Sequence, residues 1–240
     1  MAVGLGKDWG IGGARPEHRG LRRSFYRPAQ ILVAIRGTIS RMKILVFAGS
    51  TRQHSFNRQL AATAASMARA AGACVTHLEL AELDLPLYNA DLEARGTPAN
   101  VMRLKKLMFE HPAWIICSPE YTGSYTALLK NTLDWASSPV KGDPAWSHGT
   151  EPFEGKVVGL LSASPGALGG LRSLSHLNPL LLNLKCWIAP QQFALGNARQ
   201  AFDSHGVLQG EVQRKGVLAV VDQVLWAVAR LHGNIAPQPM

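Results

Sequence analysis

Three short apolar runs, Ile44-Leu45-Val46-Phe47-Ala48, Ala113-Trp114-Ile115-Ile116-Cys117 and Val157-Val158-Gly159-Leu160-Leu161, each end in a loop rich in Gly, Ser or Pro. Apolar residues in an unbroken row describe a strand covered on both faces, as in the centre of a parallel sheet. Parallel neighbours need a crossover of about a dozen or more residues rather than a hairpin. The intervening sequence supplies one each time. Apolar residues recur at helical spacing at Phe56, Leu60, Ala64, Met67 and Ala71; at Val101, Leu104 and Met108; at Leu128, Leu129 and Leu133; and at Val217, Val221, Val224, Val228 and Leu231. Each set puts an apolar stripe on one helix face. The expected fold is α/β, a doubly wound five-stranded parallel sheet with helices on both sides. From Cys74 to Leu80, His77 and Glu79 alternate with apolar neighbours, so that strand has a wetter face and belongs near an edge. Such an edge suits the order 2-1-3-4-5. A weaker fifth strand is expected over Cys186 to Ile188.

Charge divides the chain unevenly. Residues 1–41 carry 8 Lys or Arg against 2 Asp or Glu, so +6 of the net +9 lies there. An excess of cations that would favour nucleic acid or an anionic membrane is confined to that stretch, and neither partner is expected for the remainder. Gly4, Gly6, Gly10, Gly12 and Gly13 stand among scattered charges with no sustained helical or strand period. The stretch reads as a basic, disordered extension, or as sequence ahead of a start at Met42. An organelle transit peptide and a nucleic-acid arm are the other readings. Gly4-Leu5-Gly6 follows no strand and lacks a third glycine in register, so it is no dinucleotide fingerprint. Residues 42–233 are expected to form the domain and 234–240 a tail.

No apolar run approaches the ~18 residues of a membrane span, and a soluble protein is expected. Cys74, Cys117 and Cys186 are odd in number and widely spaced. They suit buried thiols in a reducing compartment, here the cytoplasm, better than disulfides or a metal site. The 8 histidines show no ligand spacing either, so no protein-bound metal is expected.

In doubly wound sheets ligands bind beyond the carboxyl ends of the strands, near the switch in strand order. Three loops fall there. The first, Gly49-Ser50-Thr51-Arg52-Gln53-His54-Ser55-Phe56-Asn57-Arg58, brings hydroxyls, a guanidinium and the free amides of a helix N-terminus to one place. A phosphate dianion needs that chemistry. Without Gly-Lys-Ser/Thr or Gly-x-Gly-x-x-Gly the loop suits a single terminal phosphate rather than a nucleoside triphosphate or dinucleotide. Alternatively Ser55 simply caps the helix and Arg52 is a solvated charge. The second, Ser118-Pro119-Glu120-Tyr121-Thr122-Gly123-Ser124-Tyr125, can align backbone donors along the N5 and pyrimidine edge of a flavin, with Tyr121 stacking on or shielding the ring. Equally, Glu120 can be an ordinary exposed carboxylate and Tyr121 a packing residue. Lys130, Asn131 and Asp134 read as caps or ion pairs on the following helix, and Trp135 as core. The third, Ser162-Ala163-Ser164-Pro165-Gly166-Ala167-Leu168-Gly169-Gly170, lets a flat ring approach the backbone closely.

In order and spacing, Gly49-Ser50-x-Arg52-x-x-Ser55-x-Asn57, Ser118-Pro119-Glu120-Tyr121 with Leu129-Lys130-Asn131-x-x-Asp134-Trp135, and Ser164-Pro165-Gly166-x-x-Gly169-Gly170 resemble the NADPH-dependent FMN reductases of flavodoxin-like fold. That family includes quinone and chromate reductases, and the likeness spans roughly Met42 to Leu231. The resemblance implies a cofactor site made by Ser50, Arg52, Ser55, Phe56 and Asn57 around the FMN phosphate. Pro119, Glu120, Tyr121, Thr122 and Gly123 would lie along the isoalloxazine, with Ser164 and Gly166 across the ring. It implies NADPH or NADH as donor and a quinone, free flavin, azo compound or metal oxyanion as acceptor. No side chain is expected to be catalytic, because the cofactor carries the chemistry. A homodimer or homotetramer with sites near the interface is also implied. Thr122 stands where many relatives have Asn or His, and Thr126 where many have Pro. The segment from Gly142 to Glu154, with Trp146 and His148, reads as a surface loop or, alternatively, as part of a substrate wall. The rival function is a flavodoxin-type electron carrier without pyridine-nucleotide activity. Such carriers are usually acidic for steering, whereas the domain here is basic.

Overall fold

The computed structural model describes residues 42–233. The basic stretch 1–41 and the tail 234–240, with the readings made of them above, lie outside the described residues. The elements run β1 (Lys43–Ala48), α1 (Phe56–Ala70), β2 (Cys74–Leu78), a 3-10 turn (Leu80–Leu83), α2 (Ala90–Arg95), α3 (Ala99–Glu110) and β3 (Ala113–Cys117). They continue as α4 (Ala127–Ser137), a second 3-10 turn (Pro144–Trp146), β4 (Val157–Ala163), α5 (Leu171–Asn183), β5 (Trp187–Ile188), β6 (Phe193–Leu195), α6 (Ala198–Ala201) and α7 (Glu211–Leu231). No helix among the described residues is long and apolar enough to cross a membrane.

The strands pair in parallel in the order β2-β1-β3-β4-β5, as expected, with β2 at the edge. The count differs from five. β5 pairs with the start of β4 (Val158 beside Ile188) and β6 with its end (Ser162 beside Ala194), so two short strands share the fifth position. Pro190, which has no N–H to give a ladder, lies between them.

Strand alternation sorts the two cores. Ile44, Val46, Ile115, Cys117 and Leu161 face α1 and α7 through Leu60, Ala64, Val217, Val221 and Val224. Leu45, Phe47, Trp114, Ile116 and Leu160 face α3, α4 and α5 through Leu104, Met108, Leu133, Leu174 and Leu177. Burying one such side chain contributes about 1.5–3 kcal/mol, so the paired faces hold the sheet rigid beneath its loops. Gly159 interrupts an otherwise apolar β4 because α7 lies against it: a Cβ there would sit 2.6 Å from Val224 Cγ2 and 3.0 Å from Val220 Cγ1.

The segment from Gly142 to Glu154 follows α4 and precedes β4, at the amino ends of the strands and away from the three loops. Trp146 packs edge-on against Phe109, and Phe153 edge-on against Trp114. Two buried lysines tie off this end. Lys105 Nζ donates to the Ala136 carbonyl at 2.8 Å and to that of Ser138 at the end of α4, and Lys156 Nζ donates to the Phe109 carbonyl at 2.5 Å near the end of α3. A cation is favoured at a helix C-terminus, although burial pulls both ammonium pKa values down to about 8.

Candidate functional site

Loop 1 leaves β1 at Gly49, whose N–H donates to the Cys117 carbonyl at 2.9 Å. A Cβ at Gly49 would meet Leu129 Cβ at 3.1 Å and Thr126 Oγ1 at 3.2 Å, so a larger residue would press loop 1 and α4 apart by a few tenths of an ångström. Ser50 is buried, and its Oγ accepts from the Arg52 N–H at 3.3 Å. Arg52 lies over the Phe56 ring, 5.8 Å from its centroid, and that ring stacks on Phe202. Ser55 is the N-cap of α1, yet its side chain makes no cap hydrogen bond, although the residue is only 2% exposed. Its hydroxyl is therefore not committed to the helix, in contrast to the simple capping alternative. The first N–H groups of a helix also lack intrahelical acceptors.

Loop 2 folds into a tight turn in which Tyr121 and Ser124 exchange backbone hydrogen bonds at 2.9 and 3.0 Å. Thr122 and Gly123 at its tip have φ of 51° and 76°, two successive positive values as in a type I′ turn. A β-branched residue is strained there, whereas Asn adopts the left-handed region readily. Thr126 has a function of its own. Its hydroxyl accepts from the Leu129 N–H at 3.2 Å as the N-cap of α4 and donates to the Gly49 carbonyl at 2.7 Å. Beyond it, Lys130 pairs with Asp134, and Asn131 and Trp135 both donate to the Pro86 carbonyl. These residues are structural, as their helical spacing suggested.

In loop 3, Gly169 (φ 64°) packs so closely on β6 that a Cβ would fall 2.6 Å from Ala194 C. Ser162 Oγ donates to the Gly169 carbonyl at 2.6 Å, and the Gly166 N–H donates to Ser164 Oγ at 3.2 Å.

Side chains clip the loops to one another. Asn57 donates to the Ala163 carbonyl at 2.8 Å and accepts from the Ala163 N–H at 2.9 Å, joining loop 1 to the end of β4. Its carboxamide is thereby committed to β4. Thr126 joins loop 1 to loop 2. Glu120 joins loop 2 to α5: it accepts from Arg172 Nε at 2.6 Å, from Nη2 at 2.5 Å and from the Arg172 backbone N–H at 3.1 Å. It is thus a partnered carboxylate at a helix N-terminus, not a free surface charge. Sequence reasoning did not reach these partnerships; on the same helix His176 Nδ1 lies 3.0 Å from Ser124 Oγ.

A cavity of ≈ 80 Å³ gathers eight of the expected residues, Arg52, Ser55, Phe56, Asn57, Pro119, Glu120, Tyr121 and Ser164, from all three loops. A second, of ≈ 250 Å³, adjoins it across Arg52 and Tyr121 and is lined by Ser50 and Thr126. Thr122, Gly123 and Gly166 line neither cavity; Gly123 stands beside Arg172, with a built Cβ 4.0 Å from Arg172 Nε. A larger open hollow of ≈ 650 Å³ lies between α2 and residues 139–147. Its lining comes from α2 and the connection before β4, outside the three loops, so donor chemistry rather than volume marks the site. Burial pushes the Cys117 thiol pKa up, so it is no nucleophile beneath loop 2. Among the described residues no group of three His, Cys, Asp or Glu is arranged to hold a metal. The arrangement can therefore hold an anion at loop 1 and a flat ring against backbone at loops 2 and 3.

Comparison with known proteins bears on this geometry. The family model for NADPH-dependent FMN reductase matches residues 42–200. The chain belongs to this family. It is 31% identical over 196 residues to an NAD(P)H-dependent FMN reductase of Pseudomonas aeruginosa, covering 80% of this chain and 98% of the relative. It is 34% identical over 200 residues to an NAD(P)H:quinone oxidoreductase of Solanum tuberosum, covering 80% and 96%. Among solved structures it is similar to FerB, a flavoenzyme NAD(P)H:(acceptor) oxidoreductase from Paracoccus denitrificans. The TM-score is 0.68 at 26% identity, with 79% of this chain and 98% of that chain covered. In this FMN reductase family member the match takes in all three loops.

Proposed function

We propose that the chain is an NAD(P)H oxidoreductase whose three loops hold FMN and which passes electrons to a small acceptor such as a quinone, a free flavin, an azo compound or a metal oxyanion. The observation that carries this reading is Ser55, a buried N-cap residue whose hydroxyl makes no cap bond and which lines a cavity shared by all three loops. Ser50, Arg52, Ser55 and the amides of Phe56 and Asn57 hold the phosphate; each charge-assisted hydrogen bond is worth about 1.5–3 kcal/mol. Tyr121 and Ser124 use their N–H groups on each other, so the donors toward the ring edge come from Glu120, Thr122 and Gly123. Pro119 and Tyr121 flank the ring on one side, Ser164 and Gly166 on the other. Arg172 neutralises Glu120, so no free anion repels an electron-rich ring. When bound, FMN would supply the redox chemistry between NADPH or NADH and the acceptor, while the loops bind and orient it.

Tyr121, Leu168 and Leu171, all more than half exposed around the cleft, suit a homodimer or homotetramer whose interface closes over the site. Cys117 and Cys186 are buried thiols, whereas Cys74, expected to be buried, is exposed because it opens the edge strand; all three are free, which suits a cytoplasmic location. The deciding experiment is anaerobic stopped-flow reduction of the flavin-loaded protein by NADPH and by NADH, followed by flavin absorbance. Rapid bleaching is the expected result. A flavin that binds but stays oxidised overturns the reductase reading and leaves an electron carrier.

A further inference from the structure

We infer that Arg58 and Glu79 form a positioning pair that shapes loop 1 into a phosphate cradle; this rests on the reading of loop 1 as the phosphate site. Arg58 belongs to the first turn of α1, and Glu79 directly follows the edge strand β2. Arg58 Nε donates to Glu79 Oε2 at 2.9 Å. The same guanidinium reaches back over loop 1, where Nη1 donates to the carbonyls of Arg52 and Gln53, each at 3.3 Å. The Ser55 N–H adds a further bond to the Arg52 carbonyl at 3.1 Å.

A loop that binds an anion must present donors and turn its carbonyl oxygens away, because their partial charge repels the ligand. Arg58 draws two successive carbonyls to one side. The other side is left to the Ser50 and Ser55 hydroxyls and the Arg52 side chain. A guanidinium is a rigid planar fork, so once one edge is held by a carboxylate the direction of its remaining donors is set. Glu79 supplies that hold from a different element, which links the edge strand to the ligand loop. The pair is partly solvated, with side-chain exposures of 29% and 27%, so its contribution to stability is small and its consequence is the orientation of loop 1.

The test uses the full chain freed of flavin and measures Kd for FMN and for riboflavin, which lacks the phosphate, by quenching of flavin fluorescence. Glu79→Gln and Arg58→Lys are compared with the unmodified chain, and thermal midpoints are recorded beside them. The expected result is a preference for FMN that narrows roughly tenfold in both variants, through FMN affinity alone, with riboflavin affinity and midpoint unchanged. An unchanged preference in both variants overturns the inference while leaving loop 1 as the phosphate site. Loss in Arg58→Lys but not in Glu79→Gln also overturns it, because Arg58 then contacts the phosphate directly. If the unmodified chain shows no preference for FMN over riboflavin, the phosphate reading itself falls.

Discussion

Two hydroxyl N-caps stand on the rim of the same cleft and do different things. Thr126 makes its cap bond to the Leu129 N–H and a second bond to the Gly49 carbonyl; Ser55 makes neither kind. Losing a working cap costs about 1 kcal/mol. Thr126→Ala is therefore expected to lower unfolding free energy by about 1 kcal/mol or more, and Ser55→Ala by less than about 0.5 kcal/mol. For FMN binding the order reverses, with Ser55→Ala losing roughly tenfold in affinity. Urea denaturation and flavin fluorescence titration check the two halves; equal destabilisation by both substitutions would show Ser55 to be an ordinary cap. At this scale residue type was legible and partnership was not. Ser55, Arg52 and Asn57 were visible as a polar cluster before a helix, but the Asn57 clip spans 106 positions in the chain and has no local signature.

Among the elements, β4 and α7 depend on a missing side chain. Gly159→Ala places a methyl within 2.6 Å of Val224 Cγ2, and overpacking a dense core typically costs about 1–3 kcal/mol. A drop of that size in urea-derived stability is expected. Restoration by the double change Gly159→Ala with Val224→Ala would show that the clash is its cause; no effect of the single change would mean that α7 stands off the sheet. Helices α1, α3, α4 and α7 were readable because a stripe of apolar residues at helical spacing is contained within one element. The short α2 and the division of the fifth strand into β5 and β6 were not. A two-residue strand is too short for any period, and its pairing with β4 is decided across the sheet.

Across the whole molecule, acid sensitivity follows from histidines held neutral. His111 is buried, with Nδ1 2.6 Å from the Leu107 carbonyl and Nε2 2.8 Å from Thr76 Oγ1. Desolvation, the largest cause, lowers its pKa and that of His77 below the ordinary 6.5. With the folded pKa depressed, the unfolded chain binds more protons as pH falls through and below 6.5. Stability is thus full above that value and lost on acidification. Desolvation raises the Asp222 pKa, which acts in the opposite sense at the acid end. Urea midpoints are expected to fall between pH 7 and pH 5, with a shallower slope in His111→Gln. An identical slope in that variant would remove His111 from the explanation.

The order of β1 to β4 with the helices α1, α3, α4 and α7, the edge position of β2 and the three loops at strand ends were written in contiguous residues; α5 and α6 were not. The reason is that two-sided burial, helical spacing and glycine-rich turns each leave a local mark. What only the tertiary structure decided is how the loops meet. Glu120 finds Arg172 across 52 positions, Arg58 finds Glu79 across 21, and the Gly142 to Glu154 segment falls at the opposite end of the sheet from the site. A polar side chain's type sets which partners it accepts. Which partner it meets is set by the packed sheet, because only the sheet brings distant parts of the chain within the ~3 Å reach of a hydrogen bond.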